Sequence, residues 1–219
     1  LADPDFLNKA KAGQLDDIDY CVGCDQGCLD GFADENCPQI TCLRNPAVGR
    51  ELECKIVKAE KPETVLVAGA GIAGLEAAIV LQQRGHQAIV CEASDKVGGQ
   101  FLTAGEAPRK GEMKAAVIAM GKKAARLGAD IRLNTPVTAE LIEEIKPHTV
   151  FNAIGATPII PNILGKDQKF VVNSHDVLNG LATPEGNVVV IGGGLVGLEV
   201  CEYLAEKGCK VTVLEMMKE

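Results

Sequence analysis

At 219 residues the chain has room for one large domain or two small ones, and an apolar fraction of 47% provides a substantial core. A net charge of −8 leaves no basic face to neutralise phosphates, which excludes a nucleic-acid partner, and the acidity keeps the surface soluble. No run of roughly 18 apolar residues offers a membrane span.

The chain opens LADPDFLNKAKAG, which is not a charged and then apolar signal segment. It starts at Leu1 and stops at KE directly after an apolar run, and both ends read as cut. Nine cysteines without a secretory signal favour thiol chemistry in a reducing compartment, hence a cytoplasmic location.

Residues 21–42, CVGCDQGCLDGFADENCPQITC, hold five of those cysteines. Zinc sites are built from two separated pairs, whereas here Cys21, Cys24 and Cys28 stand in one Cys-x2-Cys-x3-Cys run. The three histidines, His86, His148 and His175, lie far downstream. Three close thiolates and one returning later suit a cubane iron–sulfur cluster, in which each corner iron takes one thiolate. Gly23 and Gly27 permit the tight loop that turns the sulfurs inward. Two residues compete as fourth ligand: Cys37, which precedes Pro38, and Cys42, which heads CLRNPAVGRE.

An apolar run, Val65 to Ala68, then reads as a buried parallel strand. GAGIAG follows, then an alanine-rich helix to Arg84 and a second strand ending at Glu92. Strand, glycine turn, helix, strand and acid are the setting a dinucleotide fingerprint requires. Gly69 permits the turn, Gly71 lets backbone approach a pyrophosphate, and Gly74 lets helix and strand touch. The helix N-terminus offers N–H groups to phosphate, and Glu92 accepts from a ribose diol.

KVGGQF, residues 96–101, places paired glycines in a loop suited to passing close to a cofactor. A helix from Gly111 to Leu127, the strand IRLN, a short helix over Ala139–Ile145 and the strand TVFNAIGATP complete the larger, FAD-type domain.

After the turn signals of TPEGN, VVVIGGGLVGLEV repeats the fingerprint: Gly192, Gly194 and Gly197 stand at an offset of 123 from Gly69, Gly71 and Gly74, as does Glu215 from Glu92. Two such sites imply two dinucleotides, a flavin and a nicotinamide, with hydride passing between them. MMK follows Glu215, without an arginine for a 2′-phosphate, so NADH is favoured over NADPH despite Lys218 nearby.

The expected architecture is α/β: a Rossmann-like FAD/NAD(P)-binding fold, parallel sheet flanked by helices, after an irregular cysteine-rich segment. The expected domains are 1–60 (exit segment and cluster loop), 61–170 (FAD-binding) and 171–219 (a βαβ nicotinamide unit). Cys91 and Cys201 fall in apolar patterns and read as small core residues. No Cys-x-x-Cys follows the FAD fingerprint, which argues against a disulfide reductase, and no acid–base catalyst stands out.

In order and in motif, the chain resembles the C-terminal portion of the NADH:flavin oxidoreductases related to 2,4-dienoyl-CoA reductase and trimethylamine dehydrogenase. LADPDFLNKAKAG resembles the segment leaving their old-yellow-enzyme barrel, CVGCDQGCLDG their 4Fe-4S loop, and CLRNPAVGRE the stretch after the last ligand. GAGIAG, KVGGQF and NAIGATP resemble the FAD-domain motifs, and GGGLVG the nicotinamide fingerprint. The resemblance implies Cys21, Cys24, Cys28 and Cys42 as cluster ligands, Cys42 displacing Cys37 because Asn45-Pro46 matches the last-ligand context. It adds Ile72, Ala73, Gly98, Gly99, Gln100, Ala153 and Gly155 to the cofactor-binding set. It also implies an electron relay from NAD(P)H through FAD and the cluster to FMN in a barrel of the same full-length chain, where an activated C=C bond is reduced. These 219 residues by themselves are then expected not to turn over substrate. Assembly as a homo-oligomer is compatible with this reading.

Other readings are an amine-dehydrogenase relative with ADP in the first site, a ferredoxin-type flavin subunit like the small subunit of glutamate synthase, and a non-catalytic nucleotide-binding module.

Overall fold

The structure, a computed structural model, describes every residue except 36–38 and 218–219. The described elements in chain order are α1 (Phe6–Lys11), α2 (Leu29–Ala33), β1 (Thr64–Ala68), α3 (Ile72–Arg84), β2 (Gln87–Cys91), α4 (Gln100–Ala104) and α5 (Gly111–Arg126). There follow β3 (Asp130–Arg132), α6 (Ala139–Ile145), β4 (Thr149–Asn152), α7 (Ser174–Leu178), β5 (Asn187–Ile191), α8 (Leu195–Glu206) and β6 (Lys210–Leu214). They form two compact units, residues 1–99 with 115–155, and residues 100–114 with 156–219.

The first unit is built on a four-stranded, all-parallel sheet in the order β3-β2-β1-β4. The two central strands, TVLVA and QAIVC, are near-continuous apolar runs, as strands covered on both faces must be. Leu66, Val67 and Val90 are fully buried, and each such side chain contributes roughly 1.5–3 kcal/mol by leaving water. On one face Leu66, Ile89 and Cys91 meet Val137, Leu141, Ile142 and Ile145. Thr138 starts α6 by accepting the Leu141 N–H, so its apolar side is set against the sheet. Along α5, Ala116, Val117, Met120, Gly121 and Ala124 recur at helical spacing and are buried. Gly85 closes α3 in the left-handed conformation at φ +91°, where a side chain is strained.

Two strands are shorter than their apolar patterns suggest. The strand expected through TVFNAIGATP ends at Asn152, whose Oδ1 accepts the Ile154 N–H at 3.3 Å and turns the chain locally. IRLN contributes only Ile131 and Arg132 to β3, and Asn134 stands at φ +51°.

In the second unit β5 and β6 form a parallel pair in register from Asn187↔Lys210 to Ile191↔Leu214, joined by α8. Its core is Ala107, Val177, Leu178, Val200 and Leu204. The outward residues of the pair, Val189, Ile191 and Leu214, are exposed. Cys91 is buried as expected for a core residue, while Cys201 on α8 is only half-buried. The α/β, Rossmann-like fold with a parallel sheet flanked by helices is the one found.

Candidate functional site

The first glycine turn joins β1 to α3. Gly69 stands at φ +101°, donates its N–H to Cys91 O at 2.8 Å, and a Cβ there would fall 2.4 Å from Ala153 O. A Cβ on Gly74 would fall 1.9 Å from Gly69 O, so helix and turn touch backbone to backbone. A Cβ on Gly71 would meet nothing within 4 Å. The helix N-terminus, with its first N–H groups unpaired within the helix, faces this space and favours an anion there.

A second loop lies against the first. Gly98 N–H donates to Ala70 O at 2.8 Å, and a Cβ on Gly99 would stand 3.2 Å from the Gly71 Cα. Both glycines are left-handed, at φ +125° and +53°, so both the torsion and the close approach require them. The fold thus gathers Gly69, Gly71, Gly74, Gly98, Gly99 and Ala153 around one cradle, with Ile72 and Ala73 in the first turn of α3. Gly155, at φ +75°, follows two residues after Ala153 with open space at its Cβ position. Gln100 opens α4 in the other unit, where its Nε2 donates to Ala156 O.

Glu92 is oriented by three donors: Ala70 N–H at 2.7 Å, Ser94 N–H at 2.9 Å and Ser94 Oγ at 2.8 Å. Burial works to raise its pKa, but the Ala70 and Ser94 hydrogen bonds outweigh it and hold the carboxyl below its ordinary value. A lowered folded-state pKa gives stability that is full above the unfolded carboxylate range and disappears as pH falls through the folded value. Acidification from about pH 7 to about pH 3 should therefore lower the melting temperature less in Glu92→Gln than in the parent chain. Identical pH dependence in thermal melts would rule the contribution out. Ala70 and Ser94 are site residues that motif reading passes over, and the Glu-x-Ser spacing was the available signal.

The second cradle reproduces the first within its own unit. Gly192 stands at φ +108° and donates to Leu214 O at 2.8 Å, Gly194 has open space at its Cβ position, and a Cβ on Gly197 would fall 2.0 Å from Gly192 O. Glu215 accepts from Gly193 N–H and Met217 N–H, both at 2.7 Å. The Met217 and Gly193 hydrogen bonds lower its pKa and keep it ionised. Lys218, the nearby cation that tempers the preference for NADH, lies outside the described residues.

The cysteine segment is irregular apart from α2. Gly23 and Asp25 are left-handed at φ +63° and +55°, and Gly23 N–H points at Cys21 Sγ at 3.3 Å. Thr41 N–H donates to Gly27 O at 2.9 Å, which lays the residue before Cys42 beside the residue before Cys28. Gly27 is needed for that approach, since a Cβ there would fall 2.3 Å from Thr41 Oγ1. Cys21 is exposed, and Cys24, Cys28 and Cys42 are half-buried. Cys37, the rival ligand, lies outside the described residues. Among the described residues no three Cys, His, Asp or Glu side chains close on a single-ion position. A four-iron cluster takes one thiolate per corner, so its ligands need not meet at one point. Thiolates are the donors such a cluster takes, the Gly23 N–H is aimed at one of these sulfurs, and the Thr41-to-Gly27 hydrogen bond brings the neighbours of Cys28 and Cys42 together. Among the described residues no helix is long and apolar enough to cross a membrane.

Residues 63–219 match the family model described as pyridine nucleotide-disulphide oxidoreductase. Bilirubin reductase of Mediterraneibacter gnavus (strain CC55_001C) is 41% identical over 219 residues, covering 100% of this chain and 34% of its own length. NADH oxidase of Thermoanaerobacter brockii is 39% identical over 224 residues, 100% of this chain and 34% of its own. Among solved structures, 2-naphthoyl-CoA reductase in complex with 2-naphthoyl-CoA superposes with a TM-score of 0.91 at 35% identity, over 97% of this chain and 32% of that one. The chain spans about a third of the length of the curated relatives it matches.

Proposed function

Because the chain belongs to the pyridine nucleotide-disulphide oxidoreductase family, in its branch related to 2,4-dienoyl-CoA reductase and trimethylamine dehydrogenase, we propose that it is the electron-transfer portion of a flavin-dependent reductase. Electrons pass from NADH through FAD and a 4Fe-4S cluster to FMN in a barrel of the same full-length chain, where an activated C=C bond is reduced. The observation that carries this reading is the recurrence of one cradle geometry in both units, downstream in sequence of a Cys-x2-Cys-x3-Cys segment.

When bound, these groups supply hydride transfer and its division into single-electron steps. The chain's own residues bind and orient. The N-terminus of α3 and the open face of Gly71 receive the flavin dinucleotide's pyrophosphate, with Ile72 and Ala73 in its first turn. Glu92, pinned by Ala70 and Ser94, accepts from the ribose hydroxyls. Gly98 and Gly99 carry backbone past the cofactor without side chains in its way, and Gln100, Ala153 and Gly155 complete the set. Gly192, Gly194 and Gly197 hold the nicotinamide dinucleotide, and ionised Glu215 accepts from its ribose diol. Cys21, Cys24, Cys28 and Cys42 supply the four cluster thiolates.

The charge on Glu215 also repels a 2′-phosphate. Glu215→Ala should therefore reduce the preference for NADH over NADPH by about tenfold, on the order of 1.4 kcal/mol. An unchanged ratio of kcat/KM for the two would place the discrimination elsewhere.

The proposal is tested on the full-length protein purified anaerobically, by iron, sulfide and flavin analysis and NADH titration. Bleaching of a flavin spectrum with the appearance of a reduced-cluster EPR signal is the expected result. Two flavin-free sites, or ADP in the first, would overturn it.

A further inference from the structure

Outside the two cradles the first unit carries a mixed-charge cluster that the cofactor reading leaves unused. Asp19 stands two residues before Cys21 and Arg44 two residues after Cys42, and the two meet as an ion pair, Arg44 Nη2 to Asp19 Oδ1 at 3.1 Å. Arg44 Nε also reaches Tyr20 O at 3.3 Å, and its side chain keeps only 7% of its surface exposed. Both flanks of the cysteine segment therefore end on one half-buried pair. The other Asp19 oxygen takes Lys123 Nζ of α5 at 2.8 Å, and Arg126, farther along α5, pairs with Asp17. Glu76 of α3 lines the same cleft of about 1060 Å³ as Asp19, Arg44 and Lys123. Burial pushes its carboxyl up, against the pull of Lys123.

The helix that holds Asp19 also touches the first cradle. Gly121 leaves room for Val97, whose Cγ2 would lie 2.7 Å from a Cβ there, and Val97 leads directly into Gly98 and Gly99 against Gly71. A continuous run of packed groups thus leads from the cysteine flanks through Asp19, Lys123 and α5 to the dinucleotide loop. An ion pair with two directed partners on one carboxylate fixes orientation, which an apolar contact does not.

We propose that Asp19 and Lys123 are positioning residues: through the Arg44–Asp19–Lys123 bridge they hold the cysteine segment at a set distance from the first cradle, and electron passage between the groups bound at those two places depends on the charge at position 123. This rests on the reading that the four cysteines hold a 4Fe-4S cluster. NADH would give the flavin two electrons, and each transfer to the cluster would remove one. After two successive transfers the flavin would be oxidised again with its proton released to water, the cluster passing the first electron on to the barrel flavin before accepting the second.

The test uses the full-length flavoprotein as wild type, Lys123→Met and Lys123→Arg. After anaerobic mixing with NADH, rapid-freeze EPR should show cluster reduction slowed at least about tenfold in K123M and close to wild type in K123R, because small displacements of reacting groups are costly. Amide hydrogen exchange over residues 19–35 and 39–44, which needs no iron, should quicken about tenfold in K123M and recover in K123R. Wild-type reduction rates or unchanged exchange in K123M would overturn the proposal, as would equal slowing in both variants. Iron lost in K123M and kept in K123R supports it, and iron lost in both overturns it. A wild-type protein without iron sinks the cluster reading instead, and the exchange measurement then still decides the bridge.

Discussion

Gly74→Ala should destabilise the first unit by about 3 kcal/mol, the cost of forcing volume into a closed contact. Its Cβ would lie 1.9 Å from Gly69 O and 3.0 Å from Gly69 C, which are backbone atoms and cannot swing aside like the end of a side chain. Relief requires α3 to lift from β1, the strand that carries fully buried Leu66 and Val67. A thermal melt of the ligand-free chain should shift down by about 6–12 °C. Gly71→Ala supplies the contrast. Gly71 has φ −74° and ψ −174°, which any residue adopts, and its Cβ position is empty. The ligand-free melt should therefore move by no more than about 0.5 kcal/mol. Flavin affinity should nevertheless fall about a hundredfold, near 3 kcal/mol, because the added methyl occupies the space left for the pyrophosphate. Equal destabilisation by both substitutions would refute the division of labour between the two glycines. Undiminished flavin binding in Gly71→Ala would refute the site.

Cys42→Ser in the full-length protein should reduce bound iron from about four atoms to fewer than about one, with loss of the cluster EPR signal, since each corner iron requires its own thiolate. Cys54→Ser, an exposed cysteine beyond the loop, should leave iron content unchanged. Cys42 is the proposed ligand because the Asn45-Pro46 that follows it matches the last-ligand context of the family it resembles, and the Thr41-to-Gly27 hydrogen bond lays the residue before Cys42 beside the residue before Cys28. Gly27→Val should block that approach and release iron as well, because its Cβ would fall 2.9 Å from the Thr41 backbone carbonyl. Cys37→Ser is the decisive comparison: iron lost there and retained in Cys42→Ser would reverse the ligand assignment.

Much of the architecture is readable in one dimension because its causes are local. Short apolar runs at 65–68 and 188–191, each followed by a glycine turn and a helical pattern, read as parallel strands. Both are strands, the first buried and the second with Val189 and Ile191 exposed. The helix over Ala139–Ile145 begins and ends where its Thr138 cap and the following Lys146–Pro147 place it. The repeat at an offset of 123 announces two cradles before any coordinate is known, because the same backbone problem, phosphate against a helix terminus, is solved by the same spacing of glycines.

Other features depend on partners far away in sequence. That Ala70, and not a glycine alone, ties Glu92 and Gly98 to the first turn follows from a hydrogen bond across 22 residues and another across 28. The end of β4 at Asn152 came from a side chain competing for a backbone N–H, which residue pattern does not reveal. The Arg44–Asp19–Lys123 bridge joins residues separated by 25 and 104 positions. Sequence by itself determined the parallel α/β fold, the two glycine cradles with their acids and the cysteine-rich loop, since each is a short-range pattern with a short-range cause. Tertiary structure alone decided which residues close that loop and what anchors it to α5, because those contacts exist only after distant segments have packed and their charges have come within hydrogen-bonding reach.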